Sequence, residues 1–404
     1  MKKILLLSAI MAGAMSVNAQ SDFKVKEIAK LPVKNITNYD KTVMRTGYGF
    51  GDKFYMTDRG AQQLRVFDLG TGEEIAQKEI GANQALGHDE AGNAIIANWG
   101  FAGSNPVGSE TTFTLISADL KEMRTTEKVG SIQGRGDYLG KAKGNVFGKE
   151  GATLLASGAA QDLENKGIVC YTFTPSGGDT PLVSYSNVWD ADQKIGAGTW
   201  ATYNYYKDVD GTDRYLYVNR SAALTDVTFE EGEVLGDQTR SYSPEDRLPN
   251  KGVCNGGEIF VLGSRKFVVY GNVTSPTYLD GISIAEIGAD NKTLTTVYTQ
   301  EAKETTIEMT TQGNWLNVEV LNDKQAKLYQ YFLGGYVAEY GIAIGDADTP
   351  ATSGVKGIEN APAQVVSTTY YTAAGVASKT AVKGLNIVVT KYADGSQKVV
   401  KVIK

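Results

Sequence analysis

GDKFYMTDRGAQQLRVFDLGTGEEIAQKEI, residues Gly51 to Ile80, decides the architecture. A polar turn leads into FYMTD, a loop into QLRVFDL, and a Gly turn into IAQKEI. Each run alternates at period 2 or is an apolar stretch too short for a helix, and each is bounded by turn residues. The same order returns in GNAIIANWG (92–100), TFTLISADLKE (112–122) and RTTEKV (124–129). It returns again in ATLLASG (152–158), GIVCYTFTPSGG (167–178) and PLVSY (181–185), then in RYLYVNR (214–220) with DVTFEEGEV (226–234). The last copies are KFVVYGN (266–272) with GISIAEIGADNKTLTTVYT (281–299), and KLYQYFLGG (327–335) with YVAEYGIAI (336–344). That makes about six units, each with a further strand upstream of its polar turn. Four short strands repeated radially predict an all-β propeller of six to seven blades. A large β-sandwich is the competing architecture. The N-terminal stretch Phe23 to Val33 reads as a strand that completes the final blade.

Composition agrees. The 404 residues hold 46 Gly and 22 Tyr but only 9 Pro, and 42% are hydrophobic, which suits strands joined by tight turns. A net charge of −6, spread without basic blocks, argues against a nucleic-acid partner. Residues 1–19 read as a signal peptide: Lys2 and Lys3 precede an apolar run, Ile4 to Met15, too short to span a bilayer, with cleavage after Ala19. No other segment is apolar enough to cross a membrane. The expected location is therefore secreted, periplasmic or on the cell surface. The two cysteines, Cys170 and Cys254, sit in different repeats and read as buried thiols in preference to a disulfide.

The propeller is expected over residues 20–345. A Pro- and small-residue-rich linker follows at 346–367, GDADTPATSGVKGIENAPAQVVS being its text from Gly345. Residues 368–404 then alternate cleanly, with turns at Ala374-Gly375, Lys383-Gly384 and Asp394-Gly395, and predict a small β-sandwich-like module. This tail, from Tyr370 to Gly375 through Ile387 to Val389 and Lys398 to Lys404, resembles the C-terminal sorting modules of Bacteroidetes proteins exported by the type IX secretion system. The resemblance covers about the last tenth of the chain. It implies contact between residues 368–404 and a secretion machinery. One departure is Asn386, where the family commonly has an aromatic. The first 350 residues resemble secreted Bacteroidetes propellers in arrangement.

Motifs that carry chemistry are few. His88 is the only histidine, which removes multi-His zinc sites; in ALGHDEAGN it reads as a turn-capping or solvated imidazole. No nucleophile elbow, HExxH, P-loop or dinucleotide fingerprint is present, and no cofactor or metal is expected. Asp208-Val209-Asp210-Gly211-Thr212-Asp213 looks like an oxygen-ligand loop, but its Gly falls at position four and position twelve is Asn219, so a hairpin turn explains it better. Arg135-Gly136-Asp137 spells an adhesive tripeptide where a turn is also expected.

The candidate ligand site is a surface. In a four-stranded blade, the loop entering the inner strand and the loop after the second strand emerge at the same end, and loops carry sites. Asp58, Arg59, Asn98, Trp99, Asn219, Arg220 and Asn272 follow second strands. Tyr48, Tyr138, Trp200 and Trp315 lie near the starts of inner strands. Aromatic faces beside amides and charges suit a sugar ring, and a peptide nearly as well; Trp between blades and Asn in turns are the structural alternative. The leading expectation is non-catalytic recognition of a glycan or a protein. Its rivals are a carbohydrate-active lyase or hydrolase using Asp58, Arg59, Tyr138 and Arg220, and a structural adhesin or scaffold.

Overall fold

A computed structural model describes residues 22–81, 85–98, 110–130, 139–157, 168–174, 182–189, 201–219, 223–230, 233–234, 238–247, 256–272, 280–301, 314–350, 365–372, 376–378, 380–392 and 397–403. The chain divides into two compact units, with the boundary between Thr352 and Ser353.

The first unit is a propeller with six four-stranded antiparallel blades among the described residues. From the centre outward, blade 1 is Gly47–Phe50, Lys53–Asp58, Gln63–Asp68 and Glu74–Glu79. Blade 2 is Ala85–His88, Ala94–Ala97, Phe113–Ile116 and Met123–Thr125. Blade 3 is Lys143–Gly144, Ala152–Ser157, Ile168–Thr174 and Leu182–Trp189. Blade 4 is Thr202–Lys207, Asp213–Val218, Leu224–Val227 and Arg240–Tyr242. Blade 5 is Gly257–Leu262, Arg265–Gly271, Ile282–Ile287 and Leu294–Gln300. Blade 6 takes Asn314–Asn322, Gln325–Phe332 and Tyr336–Ile344 from the end of the unit and Phe23–Pro32 from its beginning. Phe23 opposes Ile344 and Pro32 opposes Tyr336, with a bulge between Glu27 and Ala29. The two ends of the unit thus share one sheet and close the ring, as the sequence pattern of Phe23 to Val33 suggests.

Alternation explains why the middle strands are buried on both faces. In Lys53–Asp58, Phe54 and Met56 pack with Tyr329 and Tyr331 of blade 6, while Tyr55 between them packs with Leu86 and Ile96 of blade 2. Each face of a blade is therefore half of an inter-blade core, and six such cores run around the ring. Burial of apolar surface at each stabilises the fold by roughly 25 cal/mol per Å². The many tyrosines do double duty, their rings filling these cores and their hydroxyls reaching backbone carbonyls of the neighbouring blade. Tyr48 donates to Gly92 O at 3.0 Å, Tyr55 to Ala118 O at 2.8 Å and Tyr171 to Gly130 O at 3.1 Å. A buried phenol left without such an acceptor would be costly.

The Asp208–Asp213 stretch is the hairpin between the first two strands of blade 4, with Gly211 at φ +86°. Asp208 is spent on Arg240 (2.7 Å) and Lys266 (3.0 Å). Cys170 is a buried free thiol packed between blades 3 and 4, and burial pushes its pKa up. Cys254, the Arg135-Gly136-Asp137 tripeptide and residues 1–19 lie outside the described residues. Among the described residues no helix is long and apolar enough to cross a membrane.

In the second unit, Val365–Thr372 pairs with Ala377–Ser378 on one side and Leu385–Tyr392 on the other, and Gln397–Ile403 completes a four-stranded antiparallel sheet. Asn386, at the position where an aromatic is common in the resembled family, is buried. Its amide accepts from Val382 N–H at 2.9 Å and donates to Val382 O at 2.7 Å and Gly384 O at 2.8 Å. It pins the Lys383-Gly384 turn by hydrogen bonding.

Candidate functional site

The innermost strands run side by side around a narrow channel. The inner strands of blades 2 and 3 approach closely enough to bond backbone to backbone: Ala142 N–H donates to His88 O at 2.8 Å and His88 N–H to Gly140 O at 3.3 Å, a parallel bridge. This approach requires glycine. A Cβ on Gly87 would lie 2.5 Å from Gly140 O, and one on Gly140 would lie 1.8 Å from Tyr203 O. Elsewhere side-chain amides span the gaps. Asn204 accepts from Lys141 N–H at 3.0 Å and donates to Gly257 O at 2.8 Å, joining blades 3, 4 and 5. Asn317 accepts from Gly49 N–H at 2.9 Å and donates to Gly49 O at 2.8 Å, joining blades 6 and 1. Glu258 accepts from Val318 N–H at 2.9 Å, joining blades 5 and 6.

At the end of the channel where inner strands finish and turn into second strands, the ring opens into a cavity of about 360 Å³. All six blades contribute to its wall. Phe50, His88, Lys141, Tyr205, Phe260 and Glu319 are one member from each in turn, and Asp89, Glu90, Lys207 and Asn317 add polar groups. Its volume falls in the range of small-molecule sites, about 300 to 1,000 Å³. Below it lies a second, much smaller cavity of about 40 Å³, lined by Tyr48, Glu258 and Trp315 and sharing His88 and Asn317 with the first.

Several charged groups of the mouth are held by their surroundings. Asp89 is fully buried and accepts from Asn93 and from the Ala91, Asn93 and Val146 N–H groups at 2.8–2.9 Å, so it shapes a turn. Glu319 accepts from Gly51 N–H and Tyr329 OH, both at 2.8 Å. Glu90 accepts from Gly144 N–H at 2.7 Å, and Lys207 donates to Asp213 at 3.1 Å. Glu258 differs. It is 1% exposed, its second carboxyl oxygen, Oε1, has no hydrogen-bond partner among the described residues, and Lys141 Nζ stands 3.8 Å from the first. Burial lifts its pKa to about 7, an effect that the Lys141 charge and the Val318 N–H only partly offset. Lys141 Nζ donates to Val318 O at 3.1 Å.

His88 corrects the sequence reading. It is not a solvated turn residue but the last residue of an inner strand, 5% exposed and stacked on Tyr48 with ring centroids 4.5 Å apart. Burial, reinforced by the nearby Lys141 charge, drops its pKa to about 3, so it is neutral under ordinary conditions.

The rim expected from the sequence lies at the opposite end of the ring, where inner strands begin and second strands finish. Its described members share that end but are engaged within the fold. Tyr48 is sandwiched between Tyr55 and His88. Asp58 is buried, accepts from Ala61 N–H at 2.9 Å and lies 3.9 Å from Arg65; Arg59 is half-buried, its N–H on Val43 O. Asn98 donates to Thr112 and Thr114 of its own blade. Asn219 donates to Tyr217 OH at 3.1 Å, and Asn272 to Ser283 Oγ at 2.8 Å. Trp315 is 8% exposed and packs in the core between blades 6 and 1. Trp99, Tyr138, Trp200 and Arg220 lie outside the described residues.

The sequence reading passed over Lys141, Glu258, Asn317 and Glu319. A signal was there: charged and amide residues inside otherwise apolar inner strands, as in GEIFVL and NWLNVEV, mark positions that face a channel. Among the described residues no group of three or more His, Cys, Asp or Glu could hold a metal ion.

No protein-family model and no curated protein matches the chain. Solved structures similar to it include a DUF4623 family protein from Bacteroides eggerthii, 11% identical with a TM-score of 0.47, over 81% of this chain and 76% of that one. PorZ, described as a surface component of the type-IX secretion system of Porphyromonas gingivalis, is 13% identical with a TM-score of 0.38, over 93% of this chain and 56% of that one. The β-propeller domain of Cps50 (Swd1) from Myceliophteria thermophila is 9% identical with a TM-score of 0.36, over 95% and 99%. The propeller assignment itself stands on the strand pairing and on the ring that blade 6 closes.

Proposed function

We propose that this is a non-catalytic recognition protein acting outside the cytoplasm, and that the hairpin mouth of its propeller takes a glycan. The observation that carries the reading is the cavity of about 360 Å³ to which every blade contributes, with the partly exposed Phe50 ring, and the largely buried Tyr205 and Phe260 behind the wall, beside amide, ammonium and carboxylate groups. Apolar edges suit the C–H faces of a sugar ring, and mixed-sign polar groups suit its hydroxyls. Asp89 and Glu319 are committed to backbone and tyrosine donors, which favours binding over a hydrolytic carboxylate pair. Export is supported by the leader-like residues 1–19, and residues 368–404 are proposed to serve sorting.

The test is a glycan array probed with the mature protein and with Phe50→Ala, Lys141→Ala and Trp200→Ala. Loss of a signal in the first two variants but not the third is expected. Loss only in Trp200→Ala would move the site away from the hairpin mouth, and an unchanged signal in all three would refute the mouth as the site. A protein partner is the alternative occupant, read out by capture on the same variants.

A further inference from the structure

The geometry points to Glu258 Oε1 as the acceptor for a hydroxyl on the terminal sugar of the ligand, so that the propeller reads the end of a glycan and not its middle; this rests on the reading of the mouth as a glycan site. Three observations lead there. First, Oε1 belongs to a side chain 1% exposed and has no donor among the described residues, while its twin Oε2 is satisfied by Val318 N–H at 2.9 Å. Buried acceptors in folded proteins are almost always paired, so a donor from beyond the described residues is expected, and a ligand hydroxyl in the adjoining cavity can supply it. Second, Glu258 lines the cavity of about 40 Å³ at the foot of the mouth, and His88 and Asn317 border both spaces. That space admits a hydroxyl group or a water, not a sugar ring. The Asn204 and Asn317 amides and the contact of Gly87 with Gly140 close the gaps between neighbouring inner strands around it, and a space of this size does not let a sugar chain thread through. A ligand enters end first. Third, Lys141 Nζ already stands 3.8 Å from Oε2. A second cation would meet it at close range, whereas a neutral hydroxyl would not, so a sugar end is favoured over the amine of a peptide.

A hydrogen bond to the ionised carboxylate is stronger than one to the neutral acid, so affinity is linked to the charge on Glu258. Tyr48 and His88 line the same small cavity, and burial keeps both neutral across the range of the test. Lys141 supplies the neighbouring positive charge.

The experiment uses ligand-observed NMR on the mature full-length protein with methyl glycosides of glucose, galactose, mannose and N-acetylglucosamine, and with the same sugars O-methylated at every hydroxyl. Wild type and Glu258→Gln are compared at pH about 5.5 and about 8. For the sugar that binds, wild-type affinity is expected to fall about tenfold at the lower pH, the variant to be about tenfold weaker than wild type at the higher pH and flat between the two, and O-methylation to abolish binding. Should the variant fail to fold, the wild-type pH profile and the O-methylated sugars still decide. A sugar bound equally by both proteins at both pH values overturns the role of Glu258 and leaves the mouth standing. A panel with no binder overturns both. Binding of an amine-terminated tripeptide instead, dependent on Glu258, overturns the hydroxyl.

Discussion

Replacing Glu258 with Gln is expected to stabilise the protein at alkaline pH and to leave it unchanged in acid. The carboxyl is fully buried, and its pKa rises from an ordinary 4.5 to about 7, chiefly through burial. The unfolded chain therefore releases this proton near the ordinary value, while the folded chain holds it until about 7. A raised carboxyl favours the fold fully below the unfolded value, and that contribution is lost as pH rises through the folded one. At about 1.4 kcal/mol per unit, the ionised form costs the fold about 3 kcal/mol above neutrality. Glutamine has the shape of the protonated acid and still accepts from Val318 N–H. Lys141 loses its counter-charge but keeps Val318 O at 3.1 Å, which trims the gain. The expected gain is about 2 kcal/mol at pH about 8, shrinking to near zero at pH about 4.5. Urea denaturation followed by tryptophan fluorescence measures it, with midpoints compared at four pH values. Parallel curves for the two proteins, or a variant weaker than wild type at the higher pH, would refute the reasoning, because either means that Glu258 is not held against its own ionisation. Binding groups set in such unfavourable places are common where function requires them.

Two further outcomes test the ring. Gly140→Ala places a Cβ 1.8 Å from Tyr203 O and is expected to cost about 3 kcal/mol or more by thermal melting, while Gly60→Ala, whose Cβ meets nothing closer than 3.4 Å, serves as a near-neutral control. Removing residues 20–32 takes away the outer strand of blade 6; the truncated protein should lose its single cooperative transition in calorimetry and regain it when a peptide of residues 22–33 is added, and an unaltered transition without the peptide would show that the ring does not need this closure.

The repeats were legible because a strand sandwiched between blades alternates one apolar set toward each neighbour, as Phe54, Tyr55 and Met56 do. The N-terminal closing strand and the tail strands were legible for the same reason, since period 2 and turn residues are local properties. His88 was misread because ALGHDEAGN offers turn residues on both sides of it, and nothing local says that the imidazole points inward onto Tyr48. The described rim residues share one end of the blades, as strand order implies, but whether a side chain faces solvent or its own blade depends on partners far along the chain. Asn272 finds Ser283, and Trp315 finds the core between blades 6 and 1.

By itself, then, the chain's text determined the strand period, the fourfold unit, its recurrence and the closing strand, because these follow from backbone geometry and from which side chains avoid water. Tertiary structure alone decided that the hairpin end of the ring opens into a cavity, that Glu258, Lys141 and His88 come together beside it from blades far apart in sequence, and that Glu258 and His88 are held away from their ordinary protonation. Burial and proximity set those properties, and neither exists until six blades have closed around a common axis.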